Sequence, residues 1–167
     1  MVNSRNKGSA FERQVAKLLE AELGISFKRD LEQYRAGDHG DLIADDPDFP
    51  FVIEAKRYAQ GTGCRPNWWA QASAAANAVG KLPCVIYKYD RRDIRCVVSF
   101  TALYKAFVDE AFGEEDWELE HQAELTLEAF CYIAREIMAN KDITFEEFLR
   151  ISREIVEHDK RRKQNEQ

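Results

Sequence analysis

The chain has 167 residues, 45% hydrophobic and 32% charged, with a formal net charge of −6. Such a length accommodates one domain with a sizeable core and an extension, and the composition excludes a largely disordered chain. No apolar run approaches the roughly 18 residues that span a bilayer, and the opening Met-Val-Asn-Ser-Arg-Asn-Lys-Gly lacks the apolar stretch of a secretory signal, so no membrane association and a cytoplasmic location are expected.

Residues 1–8 are polar. A helix is predicted from Ser9 to Gly24, because Phe11, Val15, Leu18, Leu19 and Leu23 recur at helical spacing and Gly24 supplies a stop. Residues 25–35 suit a first strand and a loop. Leu42–Ala44 and Phe51–Lys56 read as a hairpin, with Pro47, Pro50 and three aspartates marking its turn. Asn67–Val79 is an Ala-rich helix ending at Gly80, with small residues suited to close packing on a sheet. Cys84–Tyr89 and Ile94–Phe100 are strands joined by Asp90-Arg91-Arg92-Asp93. Helices are predicted over Thr101–Phe112, Trp117–Asn140 and Thr144 to about residue 163, the last opened by a Thr144-x-x-Glu147 capping box. The order implies an α/β core over 1–100 and a helical extension over 101–167.

The chemistry concentrates on the hairpin. With the turn centred near Pro47 and Asp48, Ala44 faces Phe51 and Asp41 faces Glu54. Opposed residues of an antiparallel pair share a face roughly 4.5–5.5 Å apart at Cβ. Two carboxylates so close repel unless a cation lies between them, and Mg²⁺ favours oxygen ligands. Lys56, two residues beyond Glu54, shares its face and can reach a water or a phosphate there. The arrangement suits a divalent metal beside a phosphodiester. The plain alternative is a charged strand end, since Glu-x-Lys is common on edge strands. The apolar run Phe51-Val52-Ile53 marks a buried strand instead, and Gly37 and Gly40 permit close backbone approach before Asp41.

Charge supports this placement. Basic residues slightly outnumber acidic ones in 1–100, and the acidic excess falls in 101–167. Arg5, Lys7, Arg13, Lys28, Arg29, Arg35, Arg57 and Arg65 flank the hairpin as candidate DNA phosphate contacts, although any one of them could be a plain surface charge. His39 is a phosphate contact or a solvated loop residue. Trp68 and Trp69 could stack on bases or pack on the sheet. Cys64, Cys84, Cys96 and Cys131 form no Cys-x-x-Cys pair, so zinc is unsupported. No spacing among His39, His121 and His158 favours a thiol–imidazole pair. The acidic region after Gly113 repels DNA, while Trp117, Leu125, Phe130, Ile133 and Ile137 need burial. It is expected to pack on the core, meet a second subunit or bind another protein.

Lys7-Gly8-Ser9-Ala10-Phe11-Glu12-Arg13, Gly40-Asp41-Leu42-Ile43-Ala44 and Ile53-Glu54-Ala55-Lys56, in that order, resemble the PD-(D/E)XK nuclease superfamily, and within it the Holliday junction resolvases of the archaeal type, which also occur in viruses. Gly40 stands where the superfamily signature has Pro, and 101–167 has no matching counterpart. The resemblance implies a restriction-endonuclease-like core, a mixed sheet flanked by helices. It implies a Mg²⁺-dependent (or Mn²⁺-dependent) endonuclease cutting DNA, with branched DNA and first of all the Holliday junction as the preferred substrate, to a 5′-phosphate and a 3′-hydroxyl. Asp41, Glu54 and the carbonyl of Ala55 would hold the metal, Lys56 would position or help deprotonate water, and Glu12 and Gln71 would complete the catalytic set. Symmetric cuts in a junction imply a homodimer. Glu12 also fits a Ser9-x-x-Glu12 capping box, and Gln71 also fits a solvated helix face. The rival readings are a nuclease of this fold for linear duplex, flap or single-stranded DNA, and a non-catalytic adaptor.

Overall fold

The computed structural model describes residues 4–30, 40–99 and 122–139. Its elements in chain order are α1 (Ser4–Leu23), β1 (Phe27–Arg29), β2 (Leu42–Ala44), β3 (Phe51–Tyr58), α2 (Pro66–Val79), β4 (Leu82–Tyr89), β5 (Arg95–Ser99), β6 (Gln122–Thr126) and α3 (Leu127–Ala139). The helices predicted over Thr101–Phe112 and from Thr144 lie outside the described residues.

The sheet has six strands in the order β1-β2-β3-β4-β5-β6. β3 and β4 are parallel, joined through α2, and every other neighbouring pair is antiparallel. A parallel neighbour requires a crossover connection, and the Ala-rich α2 supplies it. Proline opens that helix, with Pro66 in its first turn. Gly80 closes it in the left-handed region (φ 65°), and the Lys81 N–H reaches back to the Ala76 carbonyl at 3.0 Å. Gly24 ends α1 in the same way, at φ 70°.

Two cores sandwich the sheet. On one face, Phe11, Val15 and Leu19 of α1 and Phe130, Ile133, Ala134 and Ile137 of α3 pack on Phe51, Ile53, Ala55, Cys84, Ile86, Cys96 and Val98. On the other face, Trp68, Trp69 and Ala72 of α2 cover Val85, Tyr87, Tyr89 and Val97, while Ala75 and Ala76 cover Val52. Both tryptophans are buried, which settles packing over base stacking. Alternation along β3 therefore sends Ile53 and Ala55 towards α1, and Glu54 and Lys56 towards α2.

The turn between β2 and β3 is tied into the core. The Asp48 N–H donates to Asp46 Oδ1 at 2.9 Å, and Phe49, only 1% exposed, packs edge-on against Phe27 with centroids 5.1 Å apart. Phe51 continues the aromatic chain to Phe130 at 5.0 Å. Leu42 pairs with Ile53, the register anticipated from the turn, and one residue further it sets Asp41 opposite Glu54.

Two local expectations change. α1 starts at Ser4, so Ser9 lies inside the helix and the Ser9–Glu12 capping box does not form; Lys7, in the added turn, is anchored to Asp90 at 3.0 Å. The continuous helix predicted over 117–140 is replaced, within its described part, by β6 and α3. β5 offers an unpaired edge that Gln122–Thr126 satisfies, and Thr126 then starts α3, its hydroxyl accepting from the Ala129 N–H at 3.2 Å.

Gly40 lies against β3. A Cβ there would sit 2.4 Å from the Ile53 carbonyl oxygen and 2.8 Å from Val52 Cγ1. The strand backbone has no room to retreat, so Gly40→Ala should lower stability by about 1–3 kcal/mol in urea denaturation. Unchanged stability would show that Asp41 approaches β3 without this constraint.

Candidate active site

Asp41 immediately precedes β2, and Glu54 and Lys56 lie in the middle of β3. Asp41 is 8% exposed and Glu54 1% exposed, unusual values for carboxylates. Asp41 Oδ2 accepts the Ala55 backbone N–H at 2.8 Å and the Lys56 ammonium at 3.3 Å. Lys56 also donates to Glu54 Oε2 at 2.6 Å. One ammonium thus bridges two acids brought together by the strand register.

The bridge does not fully compensate the charge. Burial first, and the Asp41 charge second, push the Glu54 carboxyl from 4.5 up to about 7, against the lowering pull of Lys56. For Lys56, burial works towards a lower value, but Asp41 and Glu54 outweigh it and hold the amine above its ordinary range. Lys56 is therefore an ammonium at neutral pH. Among the described residues the second oxygen of Glu54, Oε1, is buried without a hydrogen-bond partner, and the neighbouring Asp41 carboxyl favours its protonated form. Leaving a buried carboxylate oxygen unsatisfied is costly, and hard oxygen donors are what Mg²⁺ and Mn²⁺ take. The residues fit a divalent ion held by Asp41 and Glu54 with the Ala55 carbonyl beside them.

The remaining candidates are placed differently. Glu12 accepts a hydrogen bond from Arg29 Nε, and Arg29 also donates to Ser9 Oγ at 3.2 Å. Arg29 pairs in register with Leu42 and lies two residues from Phe27, both in the core beneath α1, so this pair belongs to the α1 face while Glu54 and Lys56 belong to the α2 face. Among the described residues no three acids, thiols or imidazoles cluster as a ligand set. Gln71 is exposed on α2 and joins no hydrogen bond of the cluster.

Most of the candidate phosphate contacts serve the fold. Lys7 and Arg57 both hold Asp90, Lys28 pairs with Asp45, and Arg65 lies over the rings of Tyr58 and Trp68 at 4.3 and 5.0 Å. Lys7 and Arg57 keep the Asp90 carboxyl below its usual range, chiefly through those hydrogen bonds. Arg13 is exposed on α1. Arg35, His39 and the Arg5 side chain lie outside the described residues, as do the other two histidines. Burial pushes the Cys84 and Cys96 thiols well above the usual range, and Cys64 up to about 11, which disfavours the nucleophilic thiolate in each. Sequence reasoning passed over Arg91, Arg92 and Arg95, which line a cavity with Tyr87; the signal was three arginines in five residues at the end of the strand beside β3.

Among the described residues no helix is long and apolar enough to cross a membrane. A family model described as "Phage putative PDDEXK endonuclease" matches residues 3–150. No curated protein matches the chain. Among solved structures, the chain is similar to the Holliday junction resolvase Hjc of Archaeoglobus fulgidus, at 22% identity and a TM-score of 0.42, over 54% of this chain and 70% of that one.

The raised Glu54 carboxyl has a consequence for the metal-free protein. The folded state keeps the Glu54 proton up to about pH 7 while the unfolded chain releases it near 4.5, so stability should fall as pH rises through that window, by about 3 kcal/mol at most from this group. Urea denaturation in EDTA across pH 4.5–8 reads the slope. Glu54→Gln should flatten it, and an unchanged slope in that variant would remove Glu54 as its source.

Proposed function

The chain belongs to the phage PDDEXK endonuclease family, and on that footing we propose that it hydrolyses phosphodiester bonds in DNA with Mg²⁺, or Mn²⁺ in its place, preferring branched DNA such as a four-way junction. The observation that carries the metal-dependent reading is the buried, unsatisfied Oε1 of Glu54 beside Asp41. Such a group calls for an explanation, and a bound metal ion supplies one.

A divalent ion bound by Asp41, Glu54 and the Ala55 carbonyl would place concentrated positive charge next to the phosphate and acidify a water. In the reaction a water oxygen forms a new bond to phosphorus and the P–O3′ bond breaks, leaving a 5′-phosphate and a 3′-hydroxyl that takes up a proton. Lys56 acts as a cation: already protonated, it hydrogen-bonds a non-bridging phosphate oxygen and stabilises the charge that builds there. Its raised pKa favours this electrostatic role over proton abstraction. Asp41 fixes the Lys56 ammonium and is itself fixed by the Ala55 N–H, so the cluster is organised before substrate arrives. Gln71 takes part from α2 by approaching the phosphate, while Glu12 stays paired with Arg29 on the α1 face.

The junction preference and a homodimer with two active sites rest on the resolvase resemblance, and the site of action is the cell that a phage infects. The alternative within the fold is linear duplex, flap or single-stranded DNA. Asp41→Ala, Glu54→Ala and Lys56→Ala should each slow Mg²⁺-dependent cleavage at least about 100-fold while the far-ultraviolet circular dichroism stays native. Full activity in Asp41→Ala would overturn the site. Labelled junction, duplex, flap and single strand compared at equal concentration test the substrate, and faster cutting of duplex than junction would reject the resolvase reading.

A further inference from the structure

A cavity of about 400 Å³ opens at the β4–β5 turn, on the α2 face of the sheet. Arg91, Arg92 and Arg95 line it together with Thr62, Tyr87 and Glu124. Asp93 also lines it, so cationic groups outnumber anionic ones, and Glu124 is engaged by the Tyr87 hydroxyl. Among the described residues none of the three guanidiniums forms a salt bridge. That contrasts with Lys7, Arg29 and Arg57, which are all paired.

The backbone adds a second observation. Arg91 is the one non-glycine residue with positive φ among the described residues, at 63°. A side chain with a Cβ is disfavoured there, and glycine or asparagine is the usual occupant. An arginine in a position that suits glycine points to a use for its side chain. Planar guanidiniums present forked donors that match phosphate oxygens.

Register relates the cavity to the candidate active site. Lys56 pairs with Tyr87 across β3 and β4, and Tyr87 pairs with Arg95 across β4 and β5. The three form one row on one face, and Arg95 lies two strands from Lys56, roughly 10 Å at ~4.8 Å per strand. Arg65, exposed over Tyr58 and Trp68, stands at the same end of the sheet.

We propose that this cavity is a phosphate subsite, in which Arg91, Arg92 and Arg95 hold a backbone phosphate of the DNA strand close to the scissile bond. The subsite rests on the nuclease reading for its polymer. It fixes the strand's direction across the sheet, so that the phosphate beside Lys56 is presented in register.

The test separates binding from cleavage. Fluorescence anisotropy with the full chain in EDTA measures affinity for a labelled linear duplex at several salt concentrations. Arg91→Gly with Arg92→Gln should weaken binding at least about 5-fold and make the salt slope shallower by one to two. Arg91→Gly alone should keep or raise the thermal midpoint, because glycine accepts the left-handed backbone. If the double variant melts early, Arg92→Lys, which keeps charge and loses the fork, should still weaken binding. Wild-type affinity and slope in the folded double variant would overturn the subsite, as would a wild-type chain that binds no DNA. Inorganic phosphate and dCMP, titrated separately, identify the source. Binding of either that the double variant loses while duplex affinity stays unchanged would assign the cavity to a small phosphate and reject the strand. Wild-type binding without cleavage in Mg²⁺ would sink the catalytic reading and leave the subsite standing.

Discussion

The pairing of Leu42 with Ile53 is the constraint on which the rest of the structure depends. A sheet has a side-chain period of two, so a slip of one residue would send Asp41 to the opposite face from Glu54. The slip is opposed by the Phe49 ring, buried against Phe27 and Phe51, and by Gly40, which fits flush on the β3 backbone. Apolar packing at the turn thereby fixes the spacing of charges at the far end of the strands. The same register fixes the two faces: what lies under α1 is hydrocarbon, and what lies towards α2 at this end is charge.

The charged cluster is held against its own electrostatics. Two buried acids meet a single ammonium, and one carboxylate oxygen has no partner. Hydrophobic burial on both sides of β3 offsets this penalty, because Phe51, Val52, Ile53 and Ala55 are all buried. A surface site with the same residues would relax into solvated ion pairs of little energetic weight. Depth is what leaves the two acids short of positive charge and so receptive to a hard cation.

Much of this was legible in the sequence, for physical reasons that can be named. The hairpin was readable because its turn residues, apolar runs and terminal charges agree with one another. Gly24 and Gly80 marked helix ends correctly because left-handed caps need glycine. β6 was not legible: Gln122–Thr126 contains Ala, Glu and Leu, good helix formers, and only the open edge of β5 makes a strand of them. Thr126 was a visible helix start, with Glu128 in the first turn, but the periodic run around it concealed the break. The partner of Glu12 was equally hidden, since no local pattern ties it to Arg29, 17 residues away. Residues 122–139, expected in a helical extension, contribute a strand and a helix to the same sheet and core.

That last contribution has a bearing on how the chain is made. β5 leaves the ribosome well before β6, separated from it by residues 100–121. Until β6 docks, β5 presents an open strand edge beside its buried Val97 and Val98, the kind of edge that recruits other chains. Pairing across such a gap in sequence is also slow, because two distant parts of the chain must first be brought together. A polypeptide released early, or stalled between these two segments, would therefore carry the Asp41, Glu54 and Lys56 cluster on an incomplete sheet, and its fate would be decided by aggregation or proteolysis.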